Sequence, residues 1–178
     1  MSFQTVLFLG LCFTACASAI PRVQKFQHDY EWNLCFGFIP KDAEEAQYGY
    51  DGLAKCKKLT TDRMMDVALC TAPSDNVRPK PKPGFMLEPG LRCEHVTCPE
   101  NTHYCEPGMI PICCNKAHQK AKAEGIAEKC PNGSKAAGVG AGEHFKAVIG
   151  KTCGDLICGK TEKCVQVNKF FAKCCGAK

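Results

Sequence analysis

The chain has 178 residues, 16 of them cysteine, 23% of them charged, and a formal net charge of +5. So much cysteine in so short a chain argues against thiolate chemistry and for a disulfide framework built in an oxidising compartment. The basic residues are scattered, which fits a solvated surface better than a nucleic-acid footprint.

In chain order, residues 1–19 carry no charged side chain. An apolar run over 6–11 leads to Ala17-Ser18-Ala19, the small-x-small pattern cut by signal peptidase. The run is too short to span a bilayer comfortably, since a spanning helix needs about 20 residues. The expectation is a cleaved signal peptide and a secreted, extracellular protein with no membrane segment afterwards. Cleavage removes Cys12 and Cys16 and leaves fourteen cysteines, an even number.

Residues 20–69 read as an N-terminal helical segment. Its first stretch, 20–33, is polar with isolated aromatics, and reads as a frayed arm that docks through Trp32. The only tryptophan of a small domain belongs to the core more often than to a binding site. Asp42 followed by Ala43, Glu44 and Glu45 reads as a capped helix start. From Leu53 a second helical pattern runs to 69, with Leu53, Cys56, Thr60, Met64 and Val67 on one face. Thr61-Asp62 offers a cap midway, so two short helices are the alternative.

From Cys70 onward one cysteine frame is written twice. Cys70, Cys93, Cys98, Cys105, Cys113 and Cys114 form the first copy, and Cys130, Cys153, Cys158, Cys164, Cys174 and Cys175 the second. The C-x22-C and C-x4-C spacings are identical, and the period is close to 60 residues. Each copy holds six cysteines, and Cys35 and Cys56 remain outside as a separate pair. Six cysteines allow 15 pairings, and spacing alone does not choose among them. The neighbours of each doublet point to opposite sides of a strand and take different partners.

Within the first copy, residues 76–90 hold four prolines and read as an extended loop. Residues 102–105 and 109–113 read as two strands around a turn at Glu106-Pro107-Gly108, with Pro111 at an edge or bulge. In the second copy, 163–167 and 170–174 flank Asn168-Lys169 as a hairpin. Between the copies, 115–129 is rich in Ala, Lys, Glu and Gln and reads as a helix. Residues 134–142 read as a flexible glycine loop, because no strand precedes them and no Gly-Lys-Ser/Thr follows as a phosphate loop requires.

The second copy resembles a lustrin-type cysteine-rich repeat. The likeness rests on Cys130-Pro131-Asn132-Gly133, the Cys153-x4-Cys158 step, Cys164, and the ending Lys173-Cys174-Cys175-Gly176. The first copy is similar but has Thr71 and Asn115 where the pattern has proline and glycine, while it keeps Cys98-Pro99. The likeness covers about 70–114 and 130–176. It implies an extracellular structural or interaction module of the kind found in matrix and shell proteins and beside Kunitz inhibitor domains.

The expected fold class is therefore small disulfide-rich α+β, with two repeated cysteine knots, each with a short β-hairpin and preceded by a helix. The expected units are 1–19 signal peptide, 20–69, 70–114, the 115–129 helix, and 130–178. All fourteen remaining cysteines are expected in bridges, and Asn132-Gly133-Ser134 is a glycosylation acceptor at Asn132. Cys98, Cys105, His95 and His103 invite comparison with a metal site, but neither copy has paired CxxC knuckles. The histidines are scattered and no nucleophile motif appears, so no enzyme activity, metal or cofactor is expected. The function expected is that of a secreted extracellular structural module or one that binds a matrix component or another extracellular protein, with oligomeric state left open. The alternative is a secreted protease inhibitor presenting a rigid loop, either 106–110 or 165–170 with Lys169 at its tip.

Overall fold

A computed structural model describes residues 22–61, 70 and 77–177. The expected signal peptide and the expected helix over 62–69 lie outside the described residues.

The segment read as a frayed arm is a β-hairpin. Strands β1 (Lys25–Asp29) and β2 (Leu34–Phe38) pair antiparallel from Lys25 opposite Phe38 to Asp29 opposite Leu34. Turn chemistry explains the difference. The Asp29 carboxylate accepts the backbone N–H groups of Glu31 at 3.0 Å and Trp32 at 3.1 Å. Asn33 closes the turn at φ +50°, a conformation few residues other than Gly, Asn and Asp tolerate. The tied turn carries Trp32 inward, where it is buried.

Helix α1 (Ala43–Gln47) begins at Asp42, whose carboxylate accepts the Glu45 N–H at 2.7 Å, as the sequence indicates. Helix α2 (Leu53–Thr61) lays Leu53 and Cys56 against Phe26 and Cys35 of the hairpin. Cys35 is bridged to Cys56 and so ties the hairpin to the helix.

The proline-rich stretch is only partly a loop. Strand β3 (Lys80–Pro81) pairs with β4 (Val96–Thr97), and Lys82 N–H donates to the His95 carbonyl at 2.9 Å. Lysine alternates with proline here, so the backbone donors of Lys80 and Lys82 share the side facing β4. Pro79, Pro81 and Pro83 have nothing to donate on the open side. Strands β5 (His103–Glu106) and β6 (Ile112–Asn115) follow as a hairpin, with Cys105 opposite Cys113. Residues 109–111, read as strand, instead belong to its five-residue loop. Pro111 cannot donate to the ladder, which therefore stops at Glu106 and Ile112.

Helix α3 (Lys116–Ile126) is capped by Asn115, which accepts the Ala117 N–H at 2.8 Å. The glycine-rich stretch beyond it is also paired rather than free. Strand β7 (Gly138–Val139) lies against β8 (Lys146–Ala147). Gly138 is needed there, because a Cβ would sit 2.5 Å from the Lys146 carbonyl oxygen and the Phe145 ring. Strand β9 (Ile149–Gly150) joins β11 (Ala172–Gly176), which pairs on its other side with β10 (Glu162–Gln166). The hairpin loop is residues 167–171 rather than the two-residue Asn168-Lys169 turn. The Asn168 side chain accepts the Phe170 N–H at 3.0 Å, and Val167 N–H reaches the Phe171 carbonyl at 2.8 Å. These bonds turn Phe171 inward.

The sulfur framework has one order used twice. In the first block Cys70 is bridged to Cys114, Cys93 to Cys105 and Cys98 to Cys113. In the second Cys130 is bridged to Cys175, Cys153 to Cys164 and Cys158 to Cys174. In each block the C-x4-C segment is stapled to one face of the hairpin, one cysteine to each strand. The second cysteine of the doublet faces the other way and takes the first cysteine of the frame. The long C-x22-C spacing is not itself a closed loop; the longest single bridges span 44 and 45 residues.

The largest apolar cluster joins Trp32 and Phe36 of the hairpin, Ala121 of α3, and Phe145, Ile149 and Phe171 of the second block. The described residues of 70–114 supply no member to any of the three apolar clusters. The N-terminal hairpin, α3 and the second block thus share a core, beside which the first block sits.

Candidate functional site

The two hairpin tips occupy the same place in the cysteine frame and have opposite surroundings. Counting back from each doublet, Phe170 and Phe171 stand where Met109 and Ile110 stand in the first block.

The second tip is closed into the fold. Phe171 is fully buried, with its ring 4.8 Å from Trp32 and 5.5 Å from Phe36. Phe170 lies 4.9 Å from Trp32 and 4.8 Å from His118. Asn168 donates its amide to the Ala121 carbonyl at 3.0 Å. Beside them Lys173 is fully buried, an unusual place for an ammonium. Its three donors meet the carbonyls of Glu124, Ala127 and Lys129 at 3.0, 2.9 and 3.0 Å. Carbonyls at a helix end lack intrahelical partners, and a cation satisfies them. Burial pushes the Lys173 amine below its ordinary range.

The first tip is open. Met109 is 78% exposed and Ile110 39% exposed. The loop is nevertheless braced. Cys105 and Cys113 at its base are bridged to Cys93 and Cys98. Gly90 N–H donates to the Met109 carbonyl at 2.8 Å, which brings the 85–90 segment back to the tip. That segment adds Phe85, stacked on His95 at 4.1 Å, and Met86, 73% exposed. The first block therefore displays four large apolar side chains on bridged backbone.

The other residues singled out in the sequence fall as follows. Each of the fourteen cysteines from Cys35 onward is in one of the seven bridges. Cys98 and Cys105 are among them, so neither sulfur is a thiolate available to a metal beside His95 or His103. Lys169 is exposed at the second tip with its ammonium 4.6 Å from the Phe170 ring centre, between neighbours that are anchored in the fold. Asn132 is exposed in a turn, and its side-chain oxygen accepts the Ser134 N–H at 3.0 Å and hydroxyl at 2.7 Å. Trp32 is a core residue. The sequence places Met109 and Ile110 in the candidate loop 106–110 and Lys173 in the ending of the second copy, but it marks neither the pair as an exposed apolar tip nor the lysine as buried. Aligning the copies on their doublets sets Met109 over Phe170, and that is the signal for the pair.

No protein-family model, no curated protein and no solved structure matches the chain. Seven bridges place its folding in an oxidising compartment. Among the described residues, no helix is long and apolar enough to cross a membrane.

Proposed function

We propose that this is a secreted, non-enzymatic binding protein of lustrin-like design, carrying two copies of one cysteine-rich module. In this reading the second copy, fused to the N-terminal hairpin, is the scaffold. The first copy is the recognition edge, and its partner is an extracellular protein or matrix component. One observation carries the reading: the frame positions that form the core at Phe170 and Phe171 are exposed and apolar at Met109 and Ile110. Covering such a side chain is worth about 1.5–3 kcal/mol, and a braced loop loses little entropy when it binds. Exposed Asn132, in the second copy, is the expected glycan site.

A protease inhibitor uses the same rigidity differently. It needs an extended loop whose central carbonyl is free to enter the oxyanion hole of the enzyme. The Met109 carbonyl is occupied by Gly90 N–H, and the neighbours of Lys169 are tied to α3 and Trp32. These contacts favour the binding module.

The test is a surface-plasmon panel of purified matrix proteins and of trypsin-, chymotrypsin- and elastase-like proteases. Saturable binding to a matrix protein with all proteases uninhibited is the expected result. Stoichiometric inhibition of any protease, with no matrix binding, contradicts the proposal.

A further inference from the structure

We infer that the segment Arg78-Pro79-Lys80-Pro81-Lys82, centred on β3, is a docking strip for a sulfated polysaccharide chain. Arg78, Lys80 and Lys82 are exposed, whereas Pro79 between them is buried. Arg78, Lys80 and Lys82 each precede a proline, which favours extended backbone. Alternate residues of an extended chain share a side and recur about every 7 Å, so the three cations repeat along one side of the segment. Among the described residues none of the three pairs with a carboxylate. Glu94, in the turn that leads into β4, is engaged instead with His95 at 3.4 Å and Arg92 at 3.8 Å.

The segment is anchored at both ends. Val77 exchanges backbone hydrogen bonds with Cys113 at 3.1 and 3.0 Å, and Lys82 N–H is bonded to His95. Lys80 lies opposite Thr97 and Pro81 opposite Val96. The partners of this strand are fixed in turn by the bridges of Cys93, Cys98 and Cys113. Three prolines add stiffness, so little backbone entropy is lost on binding.

The same prolines restrict what the strip can bind. A further β-strand needs donors along the open edge, and Pro79, Pro81 and Pro83 leave that side without them. Recognition therefore passes through side-chain charge. An anionic membrane is a poor fit, because each lysine near such a surface is worth about 1 kcal/mol and the strongly anionic leaflet faces the cytoplasm. A disulfide-built protein meets sulfated chains outside the cell, and their evenly repeated anions complement an evenly spaced row of cations.

The inference does not depend on the apolar tip, and its test keeps the two apart. Heparin, its desulfated form, single-stranded DNA and phosphatidylserine vesicles are the probes, titrated calorimetrically at about 0.15 M salt. The variants are R78S/K80S/K82S and, as a control removing the same charge elsewhere, K160S/K163S/K169S. All six side chains are exposed. Single K80E serves if the first triple fails to fold, as judged by near-ultraviolet circular dichroism.

The expected result is heparin binding that desulfation abolishes and that R78S/K80S/K82S or K80E weakens about tenfold or more, with a shallower salt dependence. The control triple loses less than about threefold. M109D/I110D binds heparin as the parent does. Equal losses in the two triples, unchanged binding in R78S/K80S/K82S, or tighter binding to DNA or vesicles than to heparin would overturn the assignment.

Discussion

Gly125 lies flat on the ring of Phe171. A Cβ built at 125 would stand 2.5 Å from the ring Cγ, so the last turn of α3 reaches the β10–β11 hairpin only because that side chain is absent. In an isolated helix, alanine would be better than glycine by about 1 kcal/mol. Overpacking a core costs about 1–3 kcal/mol. The ring is fully buried between Trp32 and Phe36 and has nowhere to move. Gly125→Ala is therefore expected to lower Tm, at about 2–4 °C per kcal/mol for a chain of this size. A scanning-calorimetry Tm equal to or above the parent would refute this packing.

Lys173 holds the same joint by polar means. Lys173→Met keeps the aliphatic stem and leaves the carbonyls of Glu124, Ala127 and Lys129 without the ammonium. A buried polar group left unsatisfied costs about 1–3 kcal/mol. The expected loss is at least about 2 kcal/mol in urea unfolding, with faster amide exchange in the last turn of α3. Unchanged stability would mean water replaces the ammonium there.

Asp29 couples the first hairpin turn to the second block. Its carboxylate meets the Lys151 ammonium at 2.8 Å and two backbone N–H groups. Burial pushes the carboxyl up, but the Lys151 hydrogen bond and charge and the N–H groups of Trp32 and Glu31 together outweigh it. The result lies below the ordinary 3.8. A depressed folded pKa means the unfolded chain takes up the proton first as pH falls. The stability Asp29 contributes is whole well above 3.8 and is lost as pH falls through that value toward the folded pKa. Urea midpoints at about pH 5 and pH 3 should therefore draw apart more in the parent than in Asp29→Asn. Equal pH dependence in the two proteins would remove the ion pair from the account.

How much of this is legible in the sequence depends on the range of the interaction. The cysteine frame is local spacing and is plain, as is the Asp42 cap and the helix between the copies. Register is not local. Pro111 ends the first ladder at Glu106 and Ile112, while Ala172 lets the second run one pair further, to Gln166. The β1–β2 hairpin is hard to see in the sequence because its signal is Asp29 and Asn33 at a turn, without a glycine to mark it. The difference between the tips is further from view. Methionine-isoleucine and phenylalanine-phenylalanine are both apolar, and only the tertiary fold decides which pair Trp32 and α3 cover.

Reduction should separate the two blocks. The bridges Cys70–Cys114 and Cys130–Cys175 close loops of 44 and 45 residues. In the chain-entropy account each is worth about 4 kcal/mol, comparable with much of the stability of a small domain. The second block also has the Phe171 cluster, and the first contributes to no such cluster among the described residues. Hydrogen exchange under increasing reductant should show β5 and β6 losing protection before β10 and β11. Simultaneous loss, or a reduced protein that keeps the oxidised transition, would point to a core the described residues do not contain.

The central claim is that equivalent apolar pairs serve folding in the second block and binding in the first. Its most direct test is one experiment on two variants, M109D/I110D and F170D, each measured for Tm and for affinity to the matrix protein found in the panel. M109D/I110D should keep the parental Tm and lose most of the affinity, about tenfold or more if both side chains are covered in the complex. F170D should lose several degrees of Tm because it places a charge between Trp32 and His118. If M109D/I110D binds as well as the parent, or melts several degrees lower, the first tip is not a recognition edge and the account fails.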